Sequence, residues 1–214
     1  TSLIVNTKYF RESVKILKEN KSLDAGLHVN FTEFAPLTKS KSLISKNGDF
    51  IGKNKWFNGY YKYADKSEIE SEIDAQILKA FSSGLKITHI NGHNHMHIFP
   101  KVIDVVVKLA KKYNVKHVRI PFEHVTSGLI HDFSKTAKIK MIQNKLKTTD
   151  AFYGILNMHD MNFDKMSIIL KSIKNGINEL MVHPAYIDKN GDSFHQSRQR
   201  EEEIKIIARI FLFI

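Results

Sequence analysis

Ile69, Ile73, Ile77 and Phe81 recur at a spacing of four, and Gly84 follows them. That spacing puts the four side chains on one face of a helix over 67–83, and a glycine is suited to end it. A short apolar run over 85–91 reads as the next strand. Pro100 then opens a helix over 101–113, whose Val102, Val106, Leu109 and Ala110 can face a sheet. Helix, strand and helix at these lengths constrain the chain to an α/β fold.

The remaining segments follow the same alternation. Strands are expected over 2–5, 25–31, 115–121 and 178–183. Helices are expected over 8–19, with Phe10, Val14 and Leu17 inward, over a lysine-rich 132–149, over 164–175 and over 197–211. Ser197 with Glu201 makes only a weak cap for the last. Residues 33–65 read as irregular, punctuated by Pro36, Gly48 and Gly52. A loop of that length is uncommon and often functional, as in a lid over a site. The 214 residues suit a single domain, 1–214. Both ends read as cut: the chain opens inside a strand at Ser2-Leu3-Ile4-Val5 and stops on the apolar run Ile210-Phe211-Leu212-Phe213-Ile214.

Charge and composition narrow the functional classes. The net charge is +11, from 33 Lys and Arg against 22 Asp and Glu. The excess is scattered lysine, without arginine clusters interleaved with aromatics, so a solvated basic face is a better reading than nucleic-acid binding. There is no cysteine, which excludes disulfides, thiolate catalysis and cysteine-ligated zinc or iron–sulfur centres. No apolar run reaches the length of a membrane span, and the first residues show no leader pattern.

Histidine carries the chemistry. His93-Asn94-His95-Met96-His97 places three imidazoles in five residues at the end of an expected strand. His28 ends another, sharing a face with Asn30 at period two. His183 precedes Pro184 at the end of a third. Strand C-terminal ends are where barrels and open parallel sheets place their chemistry. Neutral imidazoles suit zinc and other transition metals, whereas magnesium prefers oxygen. Each histidine also has a plain structural reading as a hydrogen-bonded core residue. His93, His95 and His97 share a face only if their segment is extended; in a tight turn, two could still converge. Candidate carboxylates are Asp24, Glu33, Glu123 and Asp188, and Arg119 with Glu123 could form an ion pair.

Gly26-Leu27-His28-Val29-Asn30-Phe31-Thr32-Glu33, Thr88-His89-Ile90-Asn91-Gly92-His93-Asn94-His95-Met96-His97-Ile98-Phe99-Pro100, Val118-Arg119-Ile120-Pro121-Phe122-Glu123, Phe152-Tyr153-Gly154, Glu179-Leu180-Met181-Val182-His183-Pro184-Ala185, and Arg200 with Glu203 occur in this order across nearly the whole chain. With these pieces the chain resembles the YdjC-like carbohydrate deacetylase family, which includes chitooligosaccharide deacetylases. The resemblance implies a distorted or incomplete (β/α) TIM-like barrel of the glycoside hydrolase/deacetylase type. It also implies a divalent metal, Mg or Zn, held by His28 and His93, with His183 as the general acid. His97, Glu33, Arg119 and Glu123 would line the substrate or support the ligands. Trp56, Phe57, Tyr60 and Tyr61 could stack on sugar rings, or form an apolar cluster under the loop.

Two departures from the family pattern stand out. Its members usually open with a strand ending in Asp-Asp-Phe-Gly, one carboxylate binding metal and the other serving as the likely base, and this chain begins after that place. They also carry Asp-Ser where Asn91-Gly92 stands here. The expected activity is metal-dependent removal of N-acetyl groups from amino-sugar oligosaccharides such as chitooligosaccharides. The alternatives are a catalytically impaired carbohydrate- or metal-binding homologue and a hydrolase of another amide or ester. The expected partner is a small oligosaccharide, with no nucleic acid or membrane; a cytoplasmic location and a homodimer complete the expectation.

Overall fold

The computed structural model describes residues 1–124, 126–158, 160–187 and 198–211. Asp188, Ser197 and the apolar end beyond Phe211 lie outside these residues. Backbone contacts divide the chain into two compact units, the first 1–120 with 128–148 and the second 121–127 with 149–214.

The first unit is built on four parallel strands in the order β1 (Ser2–Leu3), β2 (Ala25–Val29), β3 (Ile87–Gly92) and β4 (His117–Val118). The register aligns Leu3, Leu27, Ile90 and Val118 in one row across the sheet, and all four are buried. Each fully buried aliphatic side chain contributes roughly 1.5–3 kcal/mol relative to exposure. Alternation at period two puts Ser2, Gly26, His28, His89, Asn91 and His117 on the opposite face. One face is therefore continuous core, and the other carries the chemistry.

Parallel strands need helical crossovers. They are α1 (Phe10–Glu19) between β1 and β2, α3 (Lys66–Ser82) between β2 and β3, and α4 (Val102–Lys112) between β3 and β4. The spacing-of-four residues of α3 face inward, with Ile69, Ile73 and Ile77 buried. Asp65 caps this helix, its carboxylate accepting from the backbone N–H of Ser67 and Glu68 at 2.7 and 3.2 Å. Val102, Val105, Val106, Leu109 and Ala110 bury the matching stripe of α4. After β4, α5 (Leu129–Gln143) closes the unit.

The segment expected to be irregular holds a short helix α2 (Lys53–Phe57) and a 3-10 turn at Tyr60–Lys62. It is bound down along its length. Glu72, fully buried on α3, accepts from Leu37 N, Thr38 N and Thr38 Oγ1 at 3.1, 2.9 and 2.7 Å. Glu68, one turn earlier, accepts from Ser40 Oγ, Lys41 N and Ser42 N at 2.7, 3.0 and 2.8 Å. Trp56 is fully buried, donates to the Phe31 carbonyl at 3.2 Å and packs against Phe31 and Phe99. Tyr61 and Phe133 add edge contacts to Phe99. Of the two places expected for Trp56, the apolar cluster under the loop is the one it takes, because its indole finds an apolar shell and a carbonyl together.

The second unit contains a parallel pair, β5 (Ala151–Tyr153) and β6 (Asn178–Leu180), with α6 (Phe163–Ser172) and α7 (Gln199–Phe211). Met161, Met166, Ile169 and Ile206 form its core. β5 was not expected from the sequence, and β4 and β6 are shorter than expected. The architecture is the expected α/β class with parallel strands, and among the described residues the strands form two sheets rather than a closed barrel.

Candidate functional site

β2 and β3 run side by side, so their C-terminal ends deliver His28 and His93 to one place. The two rings meet edge to face with centroids 5.5 Å apart. His28 lies opposite Asn91 in the register, and its Nδ1 donates to Asn91 Oδ1 at 2.6 Å, with Ser2 Oγ at 3.3 Å. Burial of the ring pushes the His28 pKa down to about 3. The Asn91 hydrogen bond opposes that shift, while the charges of His93, Arg119 and His97 add to it. His28 is therefore a neutral imidazole at neutral pH.

His93 Nε2 donates to Glu33 Oε1 at 3.0 Å. Glu33 is held there by the turn that follows β2. Asn30 Oδ1 accepts from Thr32 N and Glu33 N at 3.0 and 3.2 Å, and Asn30 Nδ2 donates to the Glu33 carbonyl at 2.7 Å. Gln76 of α3 pairs with the Asn30 backbone in both directions, at 3.0 and 2.8 Å. A helix facing the core thereby sets the position of a carboxylate at the site.

The histidine cluster is a tight 3-10 turn over His93–Ile98, with Asn94 and His95 at positive φ of 49° and 58°. The turn sends its histidines different ways. His93 goes to His28. His97 goes inward, fully buried, with Nε2 donating to the Arg119 carbonyl at 2.8 Å. Burial lowers its pKa to about 3. His97 is thus a strut from the turn to the end of β4; of the two roles expected for it, its position suits support of the ligand-bearing turn rather than contact with a sugar. His89 lies across Gly26, where an added Cβ would come within 2.2 Å of its ring.

The second unit holds two further candidates. Glu123 is buried, and its carboxylate accepts from Gly154 N, Ile155 N and Leu156 N at 3.4, 2.8 and 3.0 Å. Those bonds make it a clip for the turn after β5. His183 follows β6, half-buried. Its N–H donates to Glu203 Oε2 at 2.5 Å and its carbonyl accepts from Arg200 Nε at 3.1 Å. Arg200 and Glu203 of α7 therefore fix the backbone that carries the His183 ring. Asp24 lies at the other end of β2 from His28, where its carbonyl accepts from the Thr1 amine at 2.8 Å. An open groove of about 530 Å³ lies on the segment after β2, lined by Pro36, Thr38, Lys39, Ile44 and Glu68; neither His28 nor His93 lines it.

His28 and His93 suit a metal by their chemistry. Both are imidazoles at adjacent strand ends, and one ring nitrogen of each is engaged by an acceptor, as ligating histidines usually are. Among the described residues, no set of three or more His, Asp or Glu side chains converges as a metal site. The two imidazoles account for part of a coordination sphere.

Asn91, Gln76 and Asn30 escaped the sequence as site residues. Asn91 was visible only as a departure from a pattern, and its place opposite His28 depends on strand register.

Comparison with known proteins bears on the family and the fold. The sequence pattern of YdjC-like proteins matches residues 1–209. A carbohydrate deacetylase of Thermoanaerobacter pseudethanolicus is 32% identical over 220 residues, spanning 100% of this chain and 82% of its own length. A chitooligosaccharide deacetylase of Yersinia enterocolitica is 28% identical over 196 residues, spanning 88% and 71%. A crystal structure from Enterococcus faecalis, described as a cellobiose-phosphate cleavage protein, shares the fold with a TM-score of 0.76 at 22% identity, over 96% of this chain and 78% of that one. A whole-chain match and a relative of this identity place the chain in the YdjC-like protein family.

Proposed function

We propose that this chain is a carbohydrate deacetylase, removing N-acetyl groups from short amino-sugar oligosaccharides with the help of a divalent metal, magnesium or zinc, against His28 and His93. The relatives named as carbohydrate and chitooligosaccharide deacetylases support the reaction. The observation that carries the metal reading is the meeting of the His28 and His93 rings at 5.5 Å, on the ends of neighbouring parallel strands.

A divalent ion held by His28 and His93 would supply positive charge to polarise the acetyl carbonyl and acidify water. The residues of this chain hold the two imidazoles and protonate the leaving amine, while the base that takes the proton from water is the carboxylate of the family's Asp-Asp-Phe-Gly strand. Asn91 holds the His28 ring, and Glu33 holds that of His93. His97 braces the turn beneath them. His183, on a backbone pinned by Glu203 and Arg200, gives a proton to the amine nitrogen as the C–N bond breaks. Arg119 sits at the end of β4, its N–H on the Ile90 carbonyl, and adds positive charge near His28.

The test is acetate release from chitobiose to chitopentaose, with chelator and with added magnesium or zinc. Metal-dependent release is expected. Absence of release under all conditions would sink the deacetylase reading. A second reading, a sugar- or metal-binding relative without turnover, is favoured by Asn91 standing where the family carries an aspartate. Saturable binding of the oligosaccharide with no acetate formed would select it.

A further inference from the structure

We infer that Asn91 is a positioning residue: its side-chain oxygen dictates which nitrogen of His28 bears the proton and which keeps its lone pair, and its amide does so at the cost of a stranded N–H. This rests on reading His28 as a ligand. Asn91 Oδ1 can only accept a hydrogen bond, so at 2.6 Å it requires the proton on His28 Nδ1 and leaves the lone pair on Nε2. Ser2 Oγ, at 3.3 Å, is longer and can donate or accept, so it imposes neither form.

The placement of Asn91 leaves it little freedom. It is 1% exposed, in a strand paired on one side with β2 and on the other with β4. Its Nδ2 is buried without a hydrogen-bond partner. Turning the amide over offers no escape. Nδ2 would then point at His28 Nδ1, the histidine proton would have to move to Nε2, and Oδ1 would take the stranded position. An aspartate has no N–H to strand and accepts more strongly from an imidazole N–H. The asparagine therefore sets the right tautomer but holds it less firmly than a carboxylate of the same shape.

The experiment uses the full chain labelled with 15N-histidine. Two-bond proton–nitrogen correlations read the His28 tautomer, calorimetric titration with Zn2+ reads affinity, and thermal melts check folding. In the wild type, Nδ1 of His28 is expected to be the protonated nitrogen. Asn91→Ala should mix the two tautomers and weaken Zn2+ by about 10-fold to 100-fold, the usual loss when such a partner is removed. Asn91→Asp should keep the Nδ1–H tautomer and bind Zn2+ more tightly, by about tenfold. An Nε2–H tautomer in the wild type, or an unmixed tautomer in a folded Asn91→Ala, would overturn the inference, as would an Asn91→Asp that binds no better than wild type. If the wild type binds no divalent ion, the ligand reading of His28 fails, while the tautomer spectra still decide what Asn91 does.

Discussion

At the scale of single residues, His97 shows what a buried imidazole does to stability. It is fully enclosed, donates to the Arg119 carbonyl and has its pKa lowered from 6.5 to about 3 by burial. On acidification the unfolded chain takes up the proton first. Stability from this group is therefore complete above about pH 6.5 and is lost as pH falls toward about 3, by about 1.4 kcal/mol per pH unit. Burial lowers His28 and His89 in the same direction, to about 3 and about 4, so urea unfolding at pH 7 and pH 5 should show a steeper combined loss, and His97→Gln should reduce that slope by about one group's share even if less stable at pH 7. Gly92 faces the same ring: a Cβ there would lie 2.7 Å from His97 Nδ1. Gly92→Ala should destabilise by about 1–3 kcal/mol through overpacking, read as a lower melting temperature. The sequence flagged His97 by its neighbours in the cluster. Only the turn at Asn94 and His95 decided that it points inward.

At the scale of elements, α3 does two jobs. Its isoleucines were legible because a spacing of four needs only a helix and a core to explain it. Glu72 and Gln76 lie on the same helix and are as deeply buried, yet charge and amide groups read as solvent-facing in a sequence. They are buried because the segment after β2 brings backbone N–H and C=O groups that need partners. Glu72 satisfies Leu37 and Thr38, and Gln76 satisfies Asn30. Residues 33–65 were expected to be irregular, a kind of loop that is often functional; their first part is stapled to α3. Glu72→Ala should cost about 1–3 kcal/mol for the N–H groups left without an acceptor. Hydrogen exchange at Leu37 and Thr38 should rise sharply, and unchanged protection there would refute the staple.

At the scale of the whole molecule, the proposed roles separate into different readouts. His28 and His93 belong to the first unit and His183 to the second. His28→Ala or His93→Ala should lower zinc occupancy about tenfold or more by elemental analysis, since each removes a proposed ligand. His183→Ala should leave occupancy unchanged and slow acetate release by about 10²–10⁴-fold, the usual worth of a general acid. Equal occupancy in the first pair, or an unaltered rate in the last, would remove those residues from the proposed chemistry. No helix among the described residues is long and apolar enough to cross a membrane.

Local patterns were enough to determine the alternation of strands and helices, the apolar faces of α3 and α4, and the place of the histidines at strand ends. Each depends on spacing within one element, and spacing is written in the chain. The pairing of His28 with Asn91, the divergence of His93 from His97, the clip made by Glu123 and the burial of Trp56 were decided only by tertiary structure. Those depend on strand register, on two left-handed residues in a turn and on which buried backbone groups lack partners, none of which a periodicity records.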